Sequence, residues 1–219
     1  EASDRNDVLR WSTILAEFQL PGIIKGAGDE YARLDAIRAT GLPLIVPVVL
    51  PEAYDVDDPY DALEVSYTRM KHWEMAPFNA ALLDSAHVPF AMTCYGRKDL
   101  KDLWKDLRKL VACGLDSARA IEGFTTDPAR LFGVDDRIGA LRPGMVANFL
   151  ITSQHLLNER NTINETWVHG VRFVHEESEP LRLQGIYDLH LGDAIWVLEV
   201  KGQADKVEAF VRRANEPDT

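Results

Sequence analysis

Cysteine, positive charge and long apolar runs are all scarce in this chain. Only Cys94 and Cys113 are cysteines, and their spacing fits neither a zinc knuckle nor a redox pair. The formal net charge of -11 opposes binding to nucleic acid or anionic membrane, because either would require a basic patch. The longest apolar stretch, residues 42–50, contains Pro43 and Pro47 and is too short to cross a bilayer. We therefore expect no nucleic-acid partner and no membrane span.

The remaining composition is typical of a folded protein. Hydrophobic residues make up 46% of the chain, which is enough apolar surface for a sizeable core. A length of 219 residues allows one large domain or two small ones, so the patterns along the chain must decide between them.

The first 138 residues alternate between helical and strand-like spacing. Apolar residues recur at three- and four-residue intervals in the helical segments, and Asp4 is a plausible N-cap for the first of them. Short apolar runs between these segments predict buried strands. The predicted helices are 6–18, 29–39, 60–73, 79–85, 98–112 and 117–132, and the predicted strands are 20–24, 42–50 and 88–93. This alternation predicts a parallel sheet with helices on its faces.

The pattern changes after Gly139. Short strand-like runs now follow one another, separated by turns that contain Gly, Asn and Asp. These predicted strands are 146–152, 165–175, 185–191 and 194–200. We therefore predict two domains, residues 1–138 and residues 139–219.

An ordered set of residues around the end of the last predicted helix resembles a known family signature. The segment 125–152 reads TTDPARLFGVDDRIGALRPGMVANFLIT. It resembles the C-terminal signature of the amidohydrolase superfamily, in which T-x-N-P-A-x-x-L-G is followed by G-x-[IL]-x-x-G-x-x-A-[DN]. A helix cap and two glycine turns would explain any three of these positions, but hardly the ordered set. The matching residues are Thr125 or Thr126, Pro128, Ala129, Leu131, Gly133, Gly139, Leu141, Gly144, Ala147 and Asn148.

The resemblance implies an α/β fold and a hydrolytic activity. Residues 1–138 would form the second half of a (β/α)8 TIM-type barrel, and residues 139–219 would form a β-rich segment of a β-sandwich. Similar proteins are imidazolonepropionase-like metal-dependent hydrolases, which use a divalent metal such as zinc to activate water for attack on carbon–nitrogen bonds. In relatives, an N-terminal segment supplies the other barrel units. We therefore expect a C-terminal portion of such a hydrolase, acting on non-peptide bonds and inactive by itself.

The metal ligands of the family have poor counterparts here. Relatives carry a His-x-His pair on the first strand, a His on each of the fifth and sixth strands, and an Asp after the eighth. Glu1 falls near the fifth-strand position, either as a ligand or as a strand-end acid. Lys25 takes the sixth-strand position, either as an inert loop residue or as a residue that loses its proton or holds an anionic group. We predict no intact metal site in this chain.

The last predicted barrel strand ends in FAMTCYG, so Cys94 or Tyr95 stands where relatives have Asp. Cys94 is either a small buried apolar residue or, with a lowered pKa, a ligand or nucleophile. Tyr95 can offer a hydroxyl to a substrate but is a poor base near neutral pH. We name Lys25, Cys94 and Tyr95 as candidate catalytic residues.

An acidic loop follows the predicted strand 42–50. Glu52, Tyr54 and Asp55 either line a substrate pocket at the end of that strand or belong to a solvated loop. Glu52 and Tyr54 are our candidate substrate-binding residues.

Two functions remain open. The first is the C-terminal portion of a hydrolase, and the second is a degenerate, metal-free barrel kept for binding or assembly. In either case half a barrel would expose sheet edges and apolar faces to water. We therefore expect association with a complementary chain segment or with a second copy, and either function is compatible with a small-molecule substrate.

Overall fold

The computed structural model describes residues 1–97, 99–175, 185–191, 194–203 and 206–213. The fold is mixed α/β, with one parallel sheet and its helices followed by two antiparallel sheets. The helices are α1 (Arg5–Glu17), α2 (Leu34–Thr40), α3 (Pro59–Glu64), α4 (Tyr67–Met75), α5 (Asn79–Ser85), α6 (Leu103–Ala112), α7 (Ser117–Glu122) and α8 (Thr126–Leu131). The strands are β1 (Ile24–Lys25), β2 (Leu44–Pro47), β3 (Phe90–Thr93), β4 (Phe149–Thr152), β5 (Ile163–Val168), β6 (Val171–Val174), β7 (Gly185–Leu191), β8 (Ala194–Gln203) and β9 (Lys206–Arg213).

The parallel sheet has the strand order β1-β2-β3. Leu44 pairs with Ile24 on one side and with Phe90 on the other, so three apolar residues line up across the sheet. All three are buried. Because side chains alternate along a strand, Lys25 and Ile45 point to the opposite face, where both are only partly buried.

Helices pack against the buried face of this sheet and share the core with the strands. Leu107 and Leu110 of α6 are buried at helical spacing, and Leu83 of α5 is fully buried beside them in the same cluster. No helix within the described ranges is both long enough and apolar enough to span a bilayer.

The first helix only partly matches its predicted inward face. Asp4 is confirmed as its N-cap, because the carboxylate accepts hydrogen bonds from the backbone amides of Asn6 and Asp7 at 2.8 and 2.9 Å. Val8 is fully buried in the core. However, Trp11 and Ile14, two of the regularly spaced apolar residues of the predicted helix 6–18, are 43% and 41% exposed.

Two long predicted helices are each divided in two. The predicted helix 60–73 is interrupted after Glu64, where Ser66 caps a new helix, α4. The predicted helix 117–132 divides at Gly123 because this residue packs against β3. The Met92 amide donates to the Gly123 carbonyl oxygen at 2.7 Å, and a Cβ at Gly123 would lie 2.7 Å from the Met92 side chain.

The helix α6 and the strand β1 are both shorter than predicted. The helix predicted over 98–112 starts at Leu103, and Lys98 lies outside the described residues. The strand predicted over 20–24 is reduced to Ile24–Lys25 because Pro21 lacks an amide donor and Gly22 packs tightly against a side chain of α1.

The antiparallel part also differs from its predicted strands. The segment 165–175 is a hairpin rather than one strand, because His169 and Gly170 adopt positive φ angles of 50° and 79° between β5 and β6. The strand β9 was not predicted. The strands form two separate sheets, with the orders β4-β5-β6 and β7-β8-β9.

The signature glycine at 139 has a packing role. A Cβ at Gly139 would lie 2.7 Å from the Ala129 Cβ and 2.8 Å from the Thr125 carbonyl oxygen, and the residue has a φ of 94°. The chain therefore crosses α8 closely. This crossing requires a small residue at position 129 and a glycine at position 139.

Candidate functional site

The carboxyl end of β1 brings three distant parts of the chain together. The Lys25 carbonyl oxygen accepts a hydrogen bond from the Ala2 amide at 2.9 Å, so the segment 1–2 runs alongside the end of β1. The Gly26 amide donates to the Ile45 carbonyl oxygen, also at 2.9 Å, which holds the other side of the strand end to β2. The backbone around Lys25 is therefore fixed on both sides.

The Lys25 side chain is the centre of this group. Its ammonium forms an ion pair with the Glu1 carboxylate and lies 3.7 Å from the centroid of the Tyr95 ring, over the face of that ring. The Lys25 side chain is 22% exposed, whereas that of Glu1 is 58% exposed. The hydrogen bond from Lys25, reinforced by its charge, lowers the pKa of the Glu1 carboxyl. We call these three residues the Lys25 cluster.

A turn after β3 positions Tyr95 in the Lys25 cluster. The Tyr95 amide donates to the Thr93 hydroxyl at 3.2 Å, and the turn needs a residue with positive φ at Gly96. Arg97 then anchors the turn, since its guanidinium binds the Asp106 carboxylate at 2.5 Å and the Val48 carbonyl oxygen at 2.8 Å.

The other predicted site residues lie apart from this contact network. Cys94 is half-buried and has a free thiol. Glu52 is exposed to solvent. The hydroxyl of Tyr54 donates to the Arg69 carbonyl oxygen at 3.2 Å, and its ring lies 4.7 Å below the Arg69 guanidinium. Tyr54 therefore contacts α4, and no contact among the described residues joins it or Glu52 to Lys25.

A buried carboxylate that we did not predict holds the loop after β1. Glu30 is fully buried, and its carboxylate accepts hydrogen bonds from the Ala27 and Gly28 amides at 2.8 and 3.1 Å. Its second oxygen accepts a hydrogen bond from the Asn79 side chain at 2.6 Å. Because the carboxylate passes so close to Gly26, a side chain there would collide with it. This network ties the loop that follows Lys25 to α5.

A second polar group lies next to that loop. Arg5 pairs with one carboxylate oxygen of Asp29 at 2.5 Å. The Tyr31 hydroxyl lies 3.3 Å from Nδ1 of His72, and burial together with the negative charge of Asp29 raises the pKa of that hydroxyl. These contacts join the start of the chain, the loop after β1 and α4.

The residues at this end of the sheet do not fit the metal site of the family. An ammonium that is paired with Glu1 has no lone pair to donate, and Cys94 and Tyr95 replace the expected Asp. In the described part of the chain, no group of three His, Cys, Asp or Glu side chains lies close enough to hold a metal ion. We therefore derive no chemical step through a metal on these residues.

These residues differ in how clearly the sequence marks them. Lys25 and Tyr95 were found because each follows a predicted strand, and Arg97 follows the same strand as Tyr95. Glu30 was not predicted, because an acidic residue near the start of a predicted helix ordinarily lies on the surface. Asn79 carried no sequence signal, since its role depends on a partner 49 residues away.

Comparison with known proteins gives one family and several structural relatives. The amidohydrolase family model matches residues 69–173. An amidohydrolase from Thermotoga maritima MSB8 superposes with a TM-score of 0.62 at 20% identity, over 80% of this chain and 42% of its own. A second amidohydrolase gives a TM-score of 0.55 at 18% identity, over 80% of this chain and 44% of its own.

A third structure is a prolidase complexed with N-methylphosphonate-L-proline, with a TM-score of 0.53 at 10% identity. It is matched over 79% of this chain and 44% of its own. This chain therefore spans less than half the length of each of these relatives. No curated protein matches the sequence.

Proposed function

We propose that this chain forms the C-terminal portion of a hydrolase that acts on non-peptide carbon–nitrogen bonds, because the amidohydrolase family model matches residues 69–173. The proposed fold is the second half of a (β/α)8 barrel followed by a β-sandwich segment. Three adjacent parallel strands with helices between them, and antiparallel strands after residue 149, support this proposal.

The observation that carries the proposal is the position of the Lys25 cluster. Lys25 lies at the carboxyl end of β1, and Tyr95 lies in the turn after β3. Barrel enzymes assemble their chemistry at this end of the strands, on the loops that follow them. The Lys25 cluster would therefore form part of the wall of a substrate pocket.

The chain's own residues can bind and orient a substrate but cannot generate a nucleophile from water. In the family a divalent metal such as zinc supplies that activation. The Lys25 ammonium would stabilise negative charge on a bound molecule, and Tyr95 would cover one side of it. We therefore expect the 219-residue chain by itself to be inactive.

Activity measurements on two proteins test this function. We expect no hydrolysis of cyclic ureas, imides or N-acyl amines by the 219-residue chain. A longer protein that also carries the remaining barrel units should hydrolyse at least one of these classes, and Lys25→Met in it should reduce kcat/KM. Absence of hydrolysis by the folded longer protein, with and without added zinc, would contradict the proposal.

A second candidate is a metal-free barrel that serves in binding or assembly. Two observations favour it: the Lys25–Glu1 ion pair at a position where relatives have a metal ligand, and an exposed apolar strip on and after α1. This strip consists of Trp11, Ile14, Phe18 and Leu20, which are 43%, 41%, 65% and 55% exposed. A complementary chain segment or a second copy would cover it.

Sedimentation over a range of concentrations tests this association. We expect the wild-type chain to self-associate, or to bind a separately produced complementary segment, and Trp11→Glu to weaken that association. Glu17→Lys, which changes an exposed polar residue of the same helix, serves as the control. A monodisperse, cooperatively folding monomer that does not bind the complementary segment would rule this candidate out.

A further inference from the structure

The Lys25 cluster combines one cation, Lys25, with one anion, Glu1, and these two groups differ in their exposure to solvent. Backbone hydrogen bonds hold Lys25 on both sides, and its ammonium lies over the face of the Tyr95 ring at the strand end. Its other partner is a carboxylate that is more than half exposed. A largely buried cation therefore meets a solvated anion.

We propose that Lys25 and Tyr95 form a binding site for the carboxylate of a small ligand, and that the Glu1 side chain occupies this site in the ligand-free protein. The inference rests on the proposed function and narrows its substrate class to molecules that carry a carboxylate near the carbon–nitrogen bond. A ligand would displace Glu1, which would turn out into solvent.

The unequal exposure of the pair makes this exchange favourable. Lys25 is only 22% exposed, so its ammonium has lost much of its hydration and gains from an anionic partner. Glu1 regains water when it leaves, and an exposed carboxylate gives up little by losing such a pair. Tyr95 is 59% exposed, and the ring that contacts the ammonium also carries a hydroxyl that can donate a hydrogen bond to a ligand.

The overall charge of the protein makes the site selective. With a formal net charge of -11, the surface repels anions in general. Binding of a carboxylate would therefore depend on this local ammonium. Substitution of Lys25 should abolish carboxylate binding rather than weaken it slightly.

Calorimetric titration of the 219-residue protein with N-acetylglycine and with the neutral N-acetylglycinamide tests the inference. We expect saturable one-site binding of the acid. The amide should bind at least about tenfold more weakly than the acid, because it cannot form the charge-assisted hydrogen bond. Glu1→Gln should tighten binding of the acid, because the competing carboxylate is gone. Tyr95→Phe should weaken it while keeping the ring.

Matched variants separate this site from other ion pairs. Lys25→Met should abolish binding of the acid, whereas Lys71→Met, which breaks the 2.8 Å surface pair with Glu74, should leave it unchanged. Equal binding of acid and amide, or unchanged binding of the acid by a folded Lys25→Met protein, would overturn the inference. If the Lys25→Met protein does not fold, an unchanged affinity of Glu1→Gln for the acid would also overturn the inference.

The outcomes for binding and for catalysis are distinguishable. Selective binding of the acid by a protein whose longer form hydrolyses nothing would support the site and contradict the hydrolase. Hydrolysis of neutral amides without any preference for a carboxylate would support the hydrolase and contradict the site.

Discussion

The two parts of this molecule differ in how much they bury. Residues 1–132 contain nearly all of the buried apolar side chains, among them Leu44, Leu83 and Phe90. From residue 139 onward, Leu157 and Val200 are the buried apolar residues in the described ranges, and both are 9% exposed. The parallel sheet thus has its own core, whereas the antiparallel sheets bury little.

The ion pairs differ in the same way. The side chains of Arg97 and Asp106 are 7% and 16% exposed, and they fix the turn that carries Tyr95. Arg172 pairs with Glu165 across the β5–β6 hairpin at 2.6 Å; the Glu165 side chain is 14% exposed, but that of Arg172 is 53% exposed. A short distance alone therefore does not make two ion pairs equivalent, because water competes for the exposed one.

Truncation of one phenylalanine in each part should give the largest difference. Phe90 is 2% exposed and Phe173 is 51% exposed. Phe90→Ala should lower the free energy of unfolding by about 3–5 kcal/mol because it leaves a cavity. Phe173→Ala should change it by about 0.5 kcal/mol or less. Urea denaturation followed by circular dichroism measures both values, and equal losses would show that the hairpin also belongs to a packed core.

Removal of one arginine from each ion pair should give a smaller contrast. Arg97→Met leaves Asp106 buried without its partner and should cost about 3 kcal/mol. Arg172→Met should cost clearly less, because the Arg172 guanidinium is largely solvated and Glu165 keeps its hydrogen bond from the Trp167 indole. The same denaturation curves measure both, with Arg38→Met as a surface control. A cost for Arg172→Met as large as that for Arg97→Met would mean that a further surface shields the hairpin.

Acid titration should give the smallest effect. Hydrogen bonds from Arg172 and Trp167 lower the pKa of the Glu165 carboxyl. Because the folded pKa lies below the unfolded one, this contribution to stability is complete above the unfolded pKa and is lost as the pH falls through the folded pKa. NMR titration of the carboxyl should show a higher midpoint in Arg172→Met than in wild type. An unchanged midpoint would indicate that Arg172 does not pair with Glu165 in solution.

Part of the fold could be predicted because it depends on local periodicity. The strands β2 and β3 and the helix α5 lie within their predicted ranges, since apolar runs and helical spacing mark such elements directly. The division of the predicted helix 117–132 could not be predicted. It depends on the contact between Gly123 and Met92, which lie 31 positions apart.

The candidate site was predictable only in outline. Lys25 and Tyr95 were identified by their place after predicted strands, and the structure brings them into contact. Tyr54 was predicted from a similar position but uses its hydroxyl to bind the backbone of α4. Whether a loop residue faces the sheet end or a neighbouring helix depends on the path of the loop, which apolar spacing does not encode.

The sequence by itself determined the alternation of strands and helices, the resemblance to a family signature around Gly139 and the residue types at the expected ligand positions, because each is a property of residue type and order. The tertiary structure alone decided that Glu1, Lys25 and Tyr95 meet and that Glu30 is buried against Asn79. It also decided that most fully buried side chains lie in the α/β part and few in the antiparallel sheets. These depend on which distant segments come together in space, and burial and partner choice are set only at that stage.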